Sequence, residues 1–543
     1  MKHRKHLISF LTIVVIGITA CGSLPLATQP VDEAAPLSGP LDQPSAQEVV
    51  PVTGASVDEI EAVPVSTSVN LSYPVVDTNQ SNCYSDSSSI SCPNKGEAYY
   101  GQDAQYTSNA PRYQDNRDGT VSDLVTGLMW QQDPGEKMSY DQAVAGASSL
   151  TLAGYTDWRL PSIKELYSLI QFSGTDVSSC MSAGTCSGIP FIDTNYFNFE
   201  YGDTSAGERI IDSQWATSSV YTGTVFGSQQ AMFGVNFADG RIKGYPTSSG
   251  RGGYFVIYVR GNISYGVNDF VDNGNPSTGS GQAGTVTDQA TGLTWTQNDS
   301  GQGLDWEGAL NYCAGMDYAG ISDWRLPNAK ELHSIVDYSR SPDATNSVAI
   351  DPIFNITSIT NEGGQLDYPA FWSSTTHVSS NGSSRAGVYI TFGRALGYMN
   401  GQWMDVHGAG AQRAEDKSGD PSSYPTGRGP QGDAVRIYNY VRCVTGGTDG
   451  AVQVNGAVDN TPAMQEQPPA EQTLQDQGQG PQGGQPPQEA LDVCVSLSQG
   501  AACTVDTLNG TLTGSCQIVQ SDQLACVPAG GPPGGGQQPP PSN

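Results

Sequence analysis

Two pairs of acidic residues are the first candidates for chemistry. Asp157 and Glu165 are repeated, at the same spacing, by Asp323 and Glu331. Two carboxyl groups can serve as the acid and the base of glycoside hydrolysis. Each glutamate, however, follows a helix-starting residue by three positions, where its side chain closes the first helical turn. An arginine also stands inside each pair as a partner for the acids, and we therefore predict structural roles and no catalytic residue.

Histidines and one acidic loop are the candidates for metal binding. Three histidines follow the N-terminal region, and none has the spacing of zinc ligands: His333, His377 and His407. The segment 114–119 resembles a calcium loop only in part, because Gln114 and Asn116 stand where the pattern requires carboxylates. The second half of the chain lacks this segment, and we predict an ordinary Asp-Gly turn. No metal and no cofactor is expected.

The elements that position these residues begin at a repeated corner. Asp-Trp-Arg-Leu-Pro occurs at 157–161 and again at 323–327. A capping residue follows each copy, Ser162 in the first and Asn328 in the second, and apolar residues then recur at helical spacing. Each copy therefore predicts a tight corner that leads into an amphipathic helix.

Other motifs recur in the same order around the two corners, which indicates a duplicated domain. Gly-Thr-Val-x-Asp and Thr-Gly-Leu-x-Trp precede each corner. A Trp-x-x-Ser segment, which is Trp-Ser-Ser-Thr in the second copy, and a final Val-Arg follow it. Trp215 is matched with Trp372 in this alignment. Hairpins are predicted at Phe233–Phe237, turning at Asp239-Gly240, and at Val388–Phe392, turning at Gly393-Arg394. Tryptophans found in both copies are expected in the core.

Cysteine usage indicates an exported protein. Cys21 ends Ile-Thr-Ala-Cys after a cationic start and the short apolar run Leu7–Ile18, a pattern typical of a bacterial lipobox. We predict that Cys21 carries lipid and anchors the chain to the outer membrane or cell surface. Ten of the eleven cysteines remain, an even number that suits disulfides: Cys83 with Cys92, Cys180 and Cys186 in one loop insertion, Cys313 with Cys443, and Cys494, Cys503, Cys516 and Cys526 in a connectivity that stays open. Cys313 and Cys443 are missing together from the first copy, where the alignment places Ala147 and Gly261.

The ordered motifs resemble the Lcl C-terminal domain family, named for the end domain of a collagen-like bacterial adhesin. The resemblance covers both copies. It implies a C-type-lectin-like α+β fold, related to the formylglycine-generating enzymes, with two helices against a twisted, mostly antiparallel sheet. The adhesin member binds sulfated polysaccharide, so the resemblance implies a binding role for the family.

Composition changes along the chain predict the remaining organisation. We expect the following segments: a lipoprotein signal peptide at 1–21, a disordered acidic tether at 22–80, a first unit at 81–261, a linker at 262–283, a second unit at 284–446, a Gln/Pro/Gly-rich linker at 447–490, a four-cysteine module at 491–527 and a disordered tail at 528–543. The formal charge of −30 would repel a phosphate backbone, so no nucleic-acid partner is expected.

These features predict a lipid-anchored envelope protein that binds a glycan or protein ligand at the cell surface. An enzyme related to the formylglycine-generating oxidases and a purely structural envelope spacer are the alternatives. Trp403 has no counterpart in the first unit and lies in the glycine-rich stretch 397–410. Trp403 and Arg413 are the predicted ligand contacts.

Overall fold

The computed structural model describes residues 70–180, 188–248, 252–274 and 284–447, together with parts of the C-terminal region at 453–454, 493–494, 498–499, 501–507, 510–518 and 524–528. Cys21, the signal peptide, most of the tether, the tail and nearly all of the Gln/Pro/Gly-rich linker lie outside these residues. Within the described part, no helix is long and apolar enough to cross a bilayer.

A segment of short elements precedes the first unit. This N-terminal segment, residues 70–110, contains three strands and one 3-10 helix: β1 (Asn70–Leu71), β2 (Cys83–Tyr84), β3 (Ser89–Ile90) and Asp103–Gln105. Its first residues were predicted to belong to the tether, and that prediction is wrong. Leu71, Tyr73 and Val76 are buried, and the Gln80 amide donates to the Thr376 carbonyl of the second unit at 2.7 Å.

The first unit combines two antiparallel sheets with two short helices. Its elements are β4 (Tyr113–Asp115), β5 (Thr120–Asp123), β6 (Leu128–Gln131), α1 (Tyr140–Ala147), α2 (Ile163–Ser168), β7 (Gln214–Trp215), β8 (Ala231–Asn236), β9 (Arg241–Pro246) and β10 (Val259–Gly261). One sheet has the order β10-β6-β5-β4 and the other β7-β8-β9. A 3-10 turn at Thr204–Ala206 lies in the long connection between α2 and β7.

The second unit repeats this arrangement and adds hairpins. Its elements are β11 (Phe270–Asp272), β12 (Thr285–Asp288), β13 (Leu293–Thr296), α3 (Trp306–Ala314), α4 (Ala329–Ser334), β14 (Ile359–Thr360), β15 (Leu366–Asp367), β16 (Ala370–His377), β17 (Ala386–Thr391), β18 (Leu396–Met399), β19 (Gln402–Asp405), β20 (Gln412–Asp416) and β21 (Val444–Thr445). The sheets are β11-β12-β13-β21 and β16-β17-β20. Because β11 lies inside 262–283, part of the predicted linker is a strand of this unit.

The C-terminal module is a small three-stranded antiparallel sheet. It contains β23 (Ala502–Thr507), β24 (Gly510–Ile518) and β25 (Leu524–Pro528), while β22 (Gln453–Val454) pairs instead with β1. Small antiparallel sheets with few helices therefore account for the described residues, an α+β to mainly β architecture.

Both predicted corners form capped helices. The Ser162 hydroxyl accepts a hydrogen bond from the Glu165 backbone N–H at 3.2 Å, and the Asn328 side chain accepts one from the Glu331 N–H at 2.9 Å. The glutamate carboxylates accept in return from the capping residues' N–H groups. Arg325 Nη1 lies 2.6 Å from the Glu331 carboxylate, and the same pair occurs in the first unit. These contacts confirm the capping interpretation of both acidic pairs.

Backbone hydrogen bonds align the two units and correct the tryptophan match. The Ser218 N–H donates to the Pro161 carbonyl, and the Ser374 N–H donates to the Pro327 carbonyl, both at 2.8 Å. Ser218 is therefore equivalent to Ser374. Counting back along the chain from these serines makes Trp215 equivalent to Phe371 and Ala216 equivalent to Trp372. All these tryptophans are buried, as predicted, but Trp215 and Trp372 point to opposite faces of their strands.

The predicted hairpins have different outcomes in the two units. In the first, β8 pairs with β9 across Asp239-Gly240, as predicted. In the second, β17 pairs with β20, and no hairpin turns at Gly393-Arg394. An inserted hairpin, β18–β19, separates these two strands. The insertion carries Trp403, which explains why this residue has no counterpart.

The two units are joined by a symmetric exchange of lysine hydrogen bonds. Lys164 Nζ donates to the Ser334 carbonyl at 2.7 Å, and Lys330 Nζ donates to the Ser168 carbonyl at 2.8 Å. Each lysine thus reaches the C-terminal end of the other unit's helix, where the helix dipole favours a cation. The rings of Tyr167 and His333 meet 4.3 Å apart between the lysines.

The disulfides agree with the predicted pairings wherever both cysteines are described. Cys83 is bonded to Cys92, and Cys313 to Cys443. In the module the open connectivity is settled as Cys494–Cys516 and Cys503–Cys526. Cys186 lies outside the described residues, so its pairing with Cys180 stays a prediction.

The alignment behind the Cys313–Cys443 prediction needs a correction. Reciprocal backbone bonds link Arg159 with Val259 and Arg325 with Val444, so those two valines are equivalent. The residue before each valine is Tyr258 in the first unit and Cys443 in the second. Tyr258, and not Gly261, therefore occupies the cysteine's position, and its hydroxyl donates to the Ala143 carbonyl of α1 at 2.9 Å.

A buried carboxyl group in the N-terminal segment gives a prediction about pH. Asp103 accepts hydrogen bonds from Thr78 at 2.8 Å and from Thr375 of the second unit at 2.5 Å. Burial raises the pKa of this carboxyl to about 7, so its contribution to stability is present below pH 4 and is lost as the pH rises through 7. We expect Asp103→Asn to have a higher free energy of unfolding than the wild type at pH 8. The difference between variant and wild type should be about 2 kcal/mol more favourable to the variant at pH 8 than at pH 5.

Urea unfolding of both proteins at the two pH values measures this difference. Asp141→Asn, which changes an exposed aspartate, is the matched control and should show no such dependence. An Asp103→Asn effect of equal size at pH 5 and pH 8 would contradict the assignment.

Candidate functional site

Trp403 lies in a tight hairpin whose turn residues are typical of this kind of turn. The turn residues Asn400 and Gly401 have φ angles of 54° and 80°, the left-handed conformation of a type I′ turn. Tyr398 lies directly across the hairpin from Trp403, with the ring centroids 5.3 Å apart. The Trp403 side chain is half-buried, and Gly363 of the neighbouring loop lies close to its Cβ atom at the base.

Trp403 also lines an open groove of about 440 Å³ in the second unit. Aromatic and proline side chains form much of this groove. They come from four separate stretches of the chain: Pro369, Trp403, Pro421, Tyr424, Pro425, Tyr438 and Tyr440. We call this site the Trp403 groove.

Two of the rings in the Trp403 groove are unusually exposed for large side chains. Tyr438 is 53% exposed and Tyr424 is 37% exposed. The 3-10 turn Pro421–Ser423 positions Tyr424, and the Tyr438 hydroxyl donates to the Gly419 carbonyl at 3.3 Å. Both tyrosine rings are therefore in contact with solvent, although hydrogen bonds hold the loops that carry them.

Polar groups accompany these rings. Arg436 donates two hydrogen bonds to the Glu362 carboxylate, at 2.9 and 3.1 Å. The third nitrogen, Nη1, is buried and has no hydrogen-bond partner among the described residues. The side-chain oxygen of Asn361, Oδ1, shapes the adjoining loop by accepting from the backbone N–H groups of Gly363 and Gln365. The groove therefore offers aromatic faces and one charge-compensated ion pair. The side-chain amides of Asn361 and Asn439 are buried and already donate to Asp367 and to the Arg436 carbonyl.

Arg413, the other predicted contact, does not line this groove. It forms an ion pair with Asp433, which also accepts from His407 at 3.0 Å. Arg413 and Asp433 face a separate cavity of about 490 Å³ between the units, together with Arg241 and Lys243 of β9. The structure therefore keeps Trp403 at the candidate site but separates Arg413 from it.

The candidate metal and catalytic residues have structural contacts. His333 bonds to the Tyr338 hydroxyl and His377 to the Asp239 carbonyl, both at 2.8 Å. Burial lowers the pKa of His377 and of His407 to about 4. The sulfurs of three cysteines, Cys494, Cys503 and Cys516, form the one group of potential metal ligands among the described residues, and all three are in disulfides.

The segment 114–119 comprises the end of β4 and the hairpin connection to β5. The Asn116 amide donates to the hydroxyls of Thr120 and Ser122, each at 2.9 Å. The second unit keeps this feature, because Asn273 donates to Thr285 and Thr287 at the equivalent place. The second unit therefore keeps the asparagine of this segment, contrary to the prediction that it lacks the segment altogether. The repeated contact explains this residue without a metal.

Sequence reasoning missed most of the groove. Tyr424, Tyr438, Arg436 and Glu362 belong to no repeated motif, and no local spacing connects them. Their only sequence signal is that the second unit contains Tyr and Pro residues in irregular stretches that the first unit lacks.

Comparison with known proteins finds a family similarity in both units. The family model of the Lcl C-terminal domain matches residues 119–260 and 284–407. The tandem repeat read from the sequence is thereby confirmed. No curated protein and no solved structure matches the chain. The second match ends at residue 407, so residues 421–440 of the Trp403 groove lie beyond it.

Proposed function

We propose that this chain is an exported, lipid-anchored binding protein whose Trp403 groove recognises a neutral glycan at the cell surface. The observation that carries this proposal is the set of exposed rings beside polar groups in one groove. Sugar rings have an apolar face that packs on aromatic side chains and hydroxyls that bond to amides and carboxylates. A concave site with a few fixed polar groups is the usual form of a ligand site.

Charge favours a neutral glycan over a sulfated one. The chain carries a formal charge of −30, which repels polyanions at long range. Inside the groove, the guanidinium of Arg436 is already paired with Glu362. The cationic cluster that a sulfated polysaccharide would require is therefore missing from the described lining of this groove.

The alternatives have less support. A formylglycine-type oxidase needs free thiols near the end of its domain, but Cys443 is bonded to Cys313. The exposure of Tyr438 and Tyr424 has no evident role in a protein that acts only as a spacer. We further propose the C-type-lectin-like fold for each unit, since two short helices, antiparallel sheets and long irregular loops suit it. Binding through loops, as at Trp403, is consistent with that fold.

Replacing Trp403 provides the test. We expect the wild-type fragment 70–447 to bind neutral oligosaccharides on a glycan array, and Trp403→Ala to weaken that binding by about tenfold or more, because one side of the stacking surface is removed. Trp403→Phe is the matched control, since a smaller ring remains, and it should bind with intermediate affinity.

Urea unfolding of each variant separates loss of binding from loss of fold. Wild-type protein that binds only sulfated or charged glycans would overturn the proposal. So would a folded Trp403→Ala variant with unchanged affinity.

A further inference from the structure

The first unit has a cleft at the place equivalent to the Trp403 groove. The Phe255 N–H donates to the Gln214 carbonyl, and the Tyr440 N–H donates to the Ala370 carbonyl, at 3.0 and 2.9 Å. Gln214 is therefore equivalent to Ala370. Both residues line cavities, Gln214 in the first unit and Ala370 in the Trp403 groove.

This first-unit cleft is the larger of the two, with a volume of about 1120 Å³. Its apolar walls include aromatic rings from three stretches of the first unit and one methionine from the second: Phe226, Tyr245, Tyr254 and Met399. The Tyr254 hydroxyl donates to the Pro246 carbonyl at 2.6 Å, which fixes one wall. The first unit thus supplies most of a second concave site.

One hairpin borders both cavities. Met399, at the tip of β18–β19, lines the first-unit cleft, while Trp403 of the same hairpin lines the Trp403 groove. Asp405 fastens the hairpin to the first unit: its carbonyl accepts from the Phe226 N–H at 2.9 Å and its carboxylate from the Tyr221 hydroxyl at 2.7 Å. The two cavities therefore keep a fixed separation.

The polar lining of the first-unit cleft also favours a neutral ligand. The charged side chains of its lining are all paired: Arg209 pairs with Asp212 at 2.6 Å, and Glu208 pairs at 2.5 Å with Lys137, which lies outside the lining. The side-chain amides of Gln229 and Gln431 border the same space. An amide both donates and accepts hydrogen bonds, which suits hydroxyl groups.

From this geometry we propose that the first-unit cleft is a second subsite for the same glycan chain, so that one linear, neutral oligosaccharide spans both units across the β18–β19 hairpin. This inference rests on the proposed function of the Trp403 groove. Linkage of two weak subsites through one ligand raises affinity through effective concentration. Affinity should therefore increase with oligosaccharide length.

The test measures binding of short and long cello-oligosaccharides and chito-oligosaccharides to the wild type and three variants by calorimetry. Ala206→Trp places a large ring at the exposed mouth of the cleft, and the double variant Gln229→Ala/Gln431→Ala removes its amides. We expect the wild type to bind long chains about tenfold more tightly than short ones. Both cleft variants should lose this gain and keep short-chain affinity, whereas Trp403→Ala should weaken both.

Each outcome separates the two proposals. Short-chain binding with no dependence on length, or a length dependence that survives in both cleft variants, overturns the second subsite and leaves the Trp403 groove in place. If the wild type binds none of these probes, both the Trp403 groove and the second subsite are overturned as sites for cello-oligosaccharides and chito-oligosaccharides. Unfolding measurements on Ala206→Trp and on the double variant exclude misfolding as the cause of a lost gain.

Discussion

Replacing Arg325 with methionine should destabilise the second unit by about 3–5 kcal/mol. The Arg325 and Glu331 side chains are only 4% and 2% exposed, and their two-point contact has distances of 2.6 and 2.7 Å. Methionine fills much of the same space but leaves the Glu331 carboxylate buried without its cation. A buried charge that loses its partner is one of the few single changes with so large a cost.

The first unit contains a matched control for this experiment. Arg159 makes the same contact with Glu165, but its side chain is 28% exposed, so water can replace part of the lost interaction. We expect Arg159→Met to cost less than half as much as Arg325→Met in urea unfolding. The double variant Arg325→Met/Glu331→Gln should recover part of the loss, because the unpaired charge is gone. Equal losses in the two units would contradict the role given to burial.

The corners show which parts of the fold were predictable. A cap, a glutamate three residues later and apolar residues at helical spacing are all local in sequence, so helices α2 and α4 follow from a few residues. The same holds for the Asn400-Gly401 turn, whose residue types suit positive φ. Local capping and turn preferences are sufficient to predict these features without knowledge of the tertiary contacts.

The alignment of equivalent strands in the two units was less predictable, because the same residue type can occur one position apart in the two copies. Matching Trp215 with Trp372 shifts the strand by one residue, and a one-residue shift moves a side chain to the opposite face. The structure instead places Phe371 in the position of Trp215, within the same core. Hydrogen bonds to the corner prolines, and not the tryptophans themselves, fix the register.

The N-terminal segment and the Trp403 groove could not be predicted from local sequence. Gln80 bonds to Thr376, almost three hundred residues further along the chain. Residues 70–80 read as tether because their buried side chains have no helical or alternating period. The groove likewise combines side chains from separate strands and loops, and its composition becomes apparent only when these stretches are brought together.

The Cys313–Cys443 disulfide should be the largest covalent contribution to the stability of the second unit. It closes a loop with a sequence separation of 130 residues, and both cysteines are buried. Chain-entropy arguments give a loss of about 3–5 kcal/mol on its removal. We expect Cys313→Ala/Cys443→Ala to unfold at correspondingly lower urea concentration, and the wild type to approach the variant when reduced.

The first unit shows what replaces the disulfide and supplies the control. Tyr258 occupies the position of Cys443, and its hydroxyl reaches α1 over Gly146, where a Cβ atom would lie 2.2 Å from the Tyr258 oxygen. One hydrogen bond thus links the residue before the last strand to the helix, where the second unit uses a covalent bond. Tyr258→Phe should therefore cost only about 1 kcal/mol. Comparable losses for Tyr258→Phe and the cysteine double variant would show that packing, and not the covalent link, stabilises this contact in both units.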